Sequence, residues 1–211
     1  MVLGQRTNHY RRLERPTWNA MAEARSSLGS FYARRGLASD AENEFKAALR
    51  LNPQYTPAAV NLADLYRLLG RNDDGQSVLR TALSHSPNSP DLHHALGLAL
   101  TRLKRTEESL NEFQRAAELD PGRARYVYVY AVALHSAGQA DAALAVLKQN
   151  LTRHPDDRDS LLAVVSFSRE KGDFATALES AKQLASTAPH DRGIANLVKT
   201  IEREYERPNA R

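Results

Sequence analysis

Five prolines set the frame of this chain. Pro53, Pro87, Pro121, Pro155 and Pro189 recur at one interval of 34 residues, and Gly36, Gly70, Gly138 and Gly172 keep the same interval, with Lys104 in the remaining place. Proline lacks an N–H and clashes with the preceding helical turn, so it is excluded from helix interiors. A strict proline period therefore marks the ends of repeated short elements. Self-similarity at about 20–50 residues is the mark of chains that fold by stacking copies of one small unit.

Aligned on the prolines, the sequence divides into blocks 22–55, 56–89, 90–123, 124–157 and 158–191 without insertion or deletion. Each block predicts helix, tight turn, helix. In the third, Leu92, Leu96, Ala99, Leu100 and Leu103 recur at helical spacing, and Leu110, Phe113, Ala116, Ala117 and Leu119 do so again. Residue 104 and its glycine equivalents fall between the two stripes, where a left-handed backbone closes a helix. Thr56-Pro57 and Ser89-Pro90 place a capping hydroxyl before a proline at the first helical position. Asn52-Pro53, Ser86-Pro87 and Asp120-Pro121 end second helices, because the residue before proline avoids the helical region. Beyond the blocks, Ile194, Leu197, Val198 and Ile201 form one more stripe, which predicts a capping helix over 192–205 and a tail over 206–211. Residues 1–21 are expected to be a basic, solvated arm and the start of the first helix. Trp18 there either extends that helix over the first repeat or seats an upstream domain.

Charge and composition exclude several function classes. The net charge is +4, but Arg6, Arg11, Arg12 and Arg15 against Glu14 supply most of it, so the rest of the chain is nearly neutral. A neutral body is a poor footprint for nucleic acid, and none is expected as a partner; a salt-sensitive contact through the arginine arm is the competing expectation. The absence of cysteine removes disulfides, thiolate metal sites and thiol nucleophiles. No apolar run reaches membrane-spanning length, so a soluble chain, cytoplasmic or periplasmic, is expected. His93 and His94 are adjacent, about 100° apart on a helix, and cannot jointly hold one metal. With no G-x-x-x-x-G-K, H-E-x-x-H or G-x-S-x-G motif, neither catalysis nor a cofactor is expected.

The interval and the residues in it resemble the tetratricopeptide repeat, whose signature runs W-x₂-L-G-x₂-Y, then A-x₃-F, then P. Block one carries Leu28, Gly29, Tyr32, Ala41, Phe45, Ala48 and Pro53. Block two carries Leu62, Tyr66, Ala82 and Pro87, and block three Leu96, Gly97, Phe113, Ala116 and Pro121. Blocks four and five keep Ala143, Pro155, Ala177 and Pro189 among apolar stand-ins. Two departures stand out. Asn150 occupies a place usually held by a small alanine, and Ser168 replaces the large residue that closes each first helix, which predicts a looser fifth repeat.

The resemblance implies an all-α, right-handed superhelical solenoid of five helix-turn-helix repeats plus the capping helix, with first helices lining a concave groove. It implies a non-catalytic scaffold that binds a peptide segment or helix of a protein partner there. The groove positions carried over include Asp64, Arg67, His94, Arg102, Arg125, Tyr128 and His135, and these are the candidate site residues. Arginine and tyrosine are frequent binding anchors. The plainer reading of each is a solvated helix face with local ion pairs such as Asp64 with Arg67. A two-carboxylate clamp of the kind that grips chaperone tails would need Lys, Asn and Arg where this chain has Ser26, Ser30, Asn61, Asp91 and Ala95, and only Asn61 fits. The run Tyr126-Val127-Tyr128-Val129-Tyr130 alternates like a strand, but the frame places it in a first helix, with Tyr130 toward the core, Tyr128 in the groove and Tyr126 near the adjoining repeat. Residues 61–67 and 125–138 also resemble the helical modules that follow multihaem cytochrome domains in some bacterial proteins, which implies, as an alternative, an assembly module of a larger exported redox protein.

Overall fold

The first helix of each hairpin ends where the chain turns left-handed. The computed structural model describes the backbone of residues 3–206 and the side chains of residues 17–206. Among the described residues there are eleven α-helices and no strand. They are α1 Leu3–Arg34, α2 Ala38–Leu51, α3 Thr56–Leu68, α4 Asn72–His85, α5 Pro90–Arg102, α6 Thr106–Leu119, α7 Ala124–Ser136, α8 Ala140–Arg153, α9 Arg158–Glu170, α10 Phe174–Thr187 and α11 Arg192–Tyr205. The backbone is helical through most of the stretch expected to form an arm, because α1 starts at Leu3. The side chains of Arg6, Arg11, Arg12 and Arg15 lie outside the described residues.

Five turns share one hydrogen-bond pattern. The N–H of Leu37, Arg71, Arg105, Gln139 and Asp173 donates to the carbonyl of Tyr32, Tyr66, Leu100, Leu134 and Ser168, respectively. This six-to-one closure needs a left-handed residue just past the helix. φ lies between 72° and 79° at Gly36, Gly70, Gly138 and Gly172, and Lys104 adopts φ 59° in the same place. The other ends of the hairpins are extended, as at Asn52 (φ −140°) before Pro53 and Ser86 (φ −141°) before Pro87.

The chain divides after Leu119 into two compact units. In the first, α1–α6 form three hairpins. Helices α1 and α2 meet so closely that a Cβ on Gly29 would stand 2.7 Å from the Phe45 ring, and one on Gly97 would stand 2.6 Å from Phe113 between α5 and α6. In the second hairpin the corresponding places hold Ala63 and Leu79, both buried. Volume is thus exchanged across each pair: glycine faces phenylalanine, alanine faces leucine. The first unit's core continues through Leu79, Leu92, Leu96 and Leu100. Glu42 of α2 ties the first two hairpins together, taking Lys46 at 2.6 Å, the Tyr66 hydroxyl at 2.8 Å and Arg71 at 2.8 Å. Those partners, Lys46 first and then Tyr66 and Arg71, hold its carboxyl down at about 2 against the opposing effect of burial.

In the second unit, α7–α10 form two hairpins, and α11 lays Ile201, Leu197 and Val198 against Val165, Ala177 and Ala181. The paired places here are Ala131 with Leu147 and Val165 with Ala181, all buried. Aspartates start three of its helices: Asp157 accepts from the Ser160 N–H at 3.0 Å, Asp173 from Thr176 at 3.1 Å and Asp191 from Gly193 at 2.8 Å. Asn150 is fully buried, its Nδ2 donating to Ser160 Oγ at 2.9 Å while its Oδ1 meets no partner. Ser168 is also fully buried, and its hydroxyl is likewise unpaired.

Candidate functional site

In the first unit, α3 packs beside both α1 and α5, so the residues of α3 and α5 that point away from the second helices share a surface. Asp64 and Arg67 lie one turn apart on α3, and Arg67 Nε donates to Asp64 Oδ1 at 2.6 Å. That ion pair, read from spacing as the plain alternative, is present. Arg102, at the end of α5, stands close enough to feel both. Partial burial first, and then the neighbouring Arg67 guanidinium, push Arg102 below the usual arginine value, while Asp64 acts the other way. Arg102 forms no ion pair with the described residues. Arg67 is thus engaged with Asp64, and Arg102 stands beside that pair without a carboxylate of its own among the described residues. His94 is half-buried on α5, its ring centroid 5.8 Å from that of Phe113; it belongs as much to the hairpin core as to the surface.

Two leucines complete this face. Leu68 and Leu98 are among the exposed large apolar side chains, and each follows or precedes a groove residue on its helix. By the repeat frame Leu68 and Leu98 are equivalent to Arg102 and Asp64, which places them among the groove positions. Three of the five residues weighed for a two-carboxylate clamp are engaged with one another: Asn61 donates to Ser30 Oγ at 3.4 Å, and Ser30 donates to the Ser26 carbonyl at 3.1 Å.

In the second unit, Tyr128 and His135 of α7 meet α9 in a recess of about 310 Å³ lined also by Val132, Asp159, Leu162, Ser166 and Phe167. His135 stacks on Phe167 with centroids 3.7 Å apart and planes 4° from parallel, and its Nε2 lies 3.0 Å from Glu170 Oε2. It is a wall of the recess more than a free anchor. Arg125 is exposed one turn before Tyr128. Of the three tyrosines on α7, Tyr126 is the buried one, and Arg123 donates to its hydroxyl at 2.6 Å. Tyr130, expected in the core, is only half-buried. The structure thus brings Asp64, Arg67 and Arg102 together in one unit, and Tyr128 and His135 in the other.

Among the described residues no cluster of three or more histidine, aspartate or glutamate side chains has the arrangement of a metal site. No described helix is long and apolar enough to cross a membrane.

Over 122 residues the chain is 27% identical to the mouse interferon-induced protein with tetratricopeptide repeats 3, covering 56% of this chain and 30% of that protein. The chain spans less than a third of the length of the curated relatives it matches. Among solved structures, Pseudomonas aeruginosa pilF superposes with a TM-score of 0.72 at 18% identity, over 90% of this chain and 86% of that one. PilW, a type IV pilus biogenesis factor, superposes with a TM-score of 0.65 at 24% identity, over 88% and 89%. At such identities the likeness speaks for the fold alone. None of these similarities supports the softer resemblance to modules of multihaem cytochrome proteins. A family model described as tetratricopeptide repeat matches residues 18–156, well over half of the sequence, and the chain belongs to that family.

Proposed function

We propose that this chain is a non-catalytic scaffold that holds a segment or helix of a protein partner on its first-helix faces. Tetratricopeptide proteins generally mediate contacts between proteins, and the fold is generally a scaffold without catalysis of its own. The observation that carries the reading is the uneven charge of the first unit's face. Arg67 is matched by Asp64, whereas Arg102 beside it is not matched, and Leu68 and Leu98 are exposed next to them. A partner that sets a carboxylate against Arg102 and an apolar side chain on the leucines would satisfy both. Charge-assisted bonds of this kind are the strong ones, and arginine is among the side chains enriched at interface hot spots. In the second unit, the Tyr128 recess would take a further apolar side chain.

Peptide display against the whole chain tests this. Selected peptides are expected to pair an acidic residue with an apolar one and to bind more weakly as salt rises. Replacing Arg67 and Arg102 by alanine should weaken them about tenfold or more, a loss of ~1.4 kcal/mol, with helicity and melting unchanged. Peptides that bind the double variant as well as the parent would remove the first-unit face as the site, and retained binding in Tyr128→Ala would remove the recess.

A further inference from the structure

In the second and third hairpins of the first unit, the side of the first helix that meets the preceding hairpin is closed off. Leu62 and Leu96 are 1% exposed and Leu65 is 5% exposed. The same repeat places on α1 hold Leu28, 37% exposed, and Phe31, 41% exposed. Farther back on that helix, Met21 and Trp18 are 52% and 49% exposed. Four large apolar side chains thus stand partly exposed along one side of α1, over about 20 Å of helix, with the Arg35 guanidinium 4.6 Å from the centre of the Phe31 ring.

Their spacing is the same from either end: three residues, seven, then three. A helix face with that symmetry is complementary to itself run backwards. Two copies of α1 laid antiparallel, with a two-fold axis passing between Ala24 and Arg25, set Trp18 against the partner's Phe31 and Met21 against the partner's Leu28. Ala24, small, lies at the crossing, where helix axes approach to about 8–10 Å. Arg25 is also near the axis, but both carboxylate oxygens of its own Glu44 accept from it at 3.0 and 3.1 Å, so the pairing does not oppose two uncompensated cations. A closed two-fold contact requires this kind of self-complementary patch.

We propose that α1 is a self-association helix, and that a second copy of this chain covers Trp18, Met21, Leu28 and Phe31 in antiparallel register. The stripe is smaller than the roughly 800 Å² per partner of a standard interface, so the dimer is reversible, with a dissociation constant on the order of micromolar.

Sedimentation equilibrium of the full chain between about 1 and 200 μM should show a shift from one chain to two. The single tryptophan should move to shorter emission wavelength over the same range. Met21→Glu and Leu28→Lys should each weaken association at least tenfold. An equimolar mixture of the two should restore it, because the new carboxylate then faces the new ammonium while the remaining Leu28 still meets a Met21. Circular dichroism checks that both variants are folded; should one not be, Trp18→Glu mixed with Phe31→Lys asks the same question of the outer pair. A parent chain that stays monomeric throughout, variants that associate undiminished, or a mixture no heavier than its components would each overturn the proposal.

Discussion

Consider replacing Gly97 by alanine. In an exposed helix the change would help, because glycine costs about 1 kcal/mol relative to alanine. Here the new methyl would lie 2.6 Å from two carbons of the Phe113 ring, inside any tolerable contact. Phe113 and Gly97 are both buried, so the ring has no solvent to move into. Overpacking of this kind costs ~1–3 kcal/mol; set against the propensity gain of about 1 kcal/mol, the net loss should be about 0–2 kcal/mol. Phe113→Leu alone removes ring volume without refilling it, and should cost about 1–2 kcal/mol by comparison with other large-to-small changes. The double variant reproduces the Ala63 and Leu79 pair that the second hairpin already uses. It should fall within about 0.5 kcal/mol of the parent, so the two changes couple by roughly 1 kcal/mol or more. Urea unfolding of all four proteins, followed by helicity and compared at the transition midpoint, measures the cycle. Additivity within ~0.5 kcal/mol would refute the reasoning, since it would mean that the two side chains do not sense each other's volume.

Two further expectations follow from local geometry. Lys104 holds φ 59° where the four equivalent residues are glycine, and a Cβ at those glycines meets nothing within 4 Å. The cost at Lys104 is therefore backbone strain alone, and Lys104→Gly should raise stability by up to ~1 kcal/mol, read as a higher melting temperature; a lower one would place the lysine's value elsewhere. Glu42 is held in the folded chain at about 2, below its ordinary value of 4.5. The stability it lends is therefore complete above about pH 4.5 and is lost as pH falls toward 2. Its partners Lys46 and Arg71 are partly exposed, so screening reduces the contribution to ~1 kcal/mol. Glu42→Gln should lower stability at pH 6 and flatten the loss between pH 4.5 and 2, and an unchanged acid limb would exclude the carboxylate as its source.

The fold was legible because its determinants are local and repeated. A left-handed turn residue and a helix-ending proline act through their own backbone, so their period alone places the hairpins, and Lys104 could be recognised as a turn residue only because it held the frame. The partly exposed side of α1 was less legible: Leu28 has the residue type of its buried equivalents, and its exposure depends on what stands beside it. The candidate site was legible as a set of positions and not as a set of available groups. Whether Asp64 is spent on Arg67, or His135 on Phe167 and Glu170, is decided by side-chain conformations and by residues more than thirty positions away. Tyr126 could have been recognised as the buried tyrosine, since its repeat equivalents Ala58 and Leu92 are core residues. Asn150 stood out by its residue type in the repeat frame, but that only its Nδ2 is paired depends on where Ser160 stands.

The exchange of volume between helices also bears on how the chain avoids folding wrongly. Hairpins of near-identical length and turn chemistry offer each first helix several second helices with which it could mispair. In the first unit a slip by one repeat would set Ala63 against a phenylalanine or a glycine against Leu79, giving a clash or a void. Only the native partner, or one two repeats away, fits. The alternation therefore works as a parity check on assembly, rejecting nearest-neighbour errors, the ones a tethered chain makes most readily because the loop to be closed is shortest.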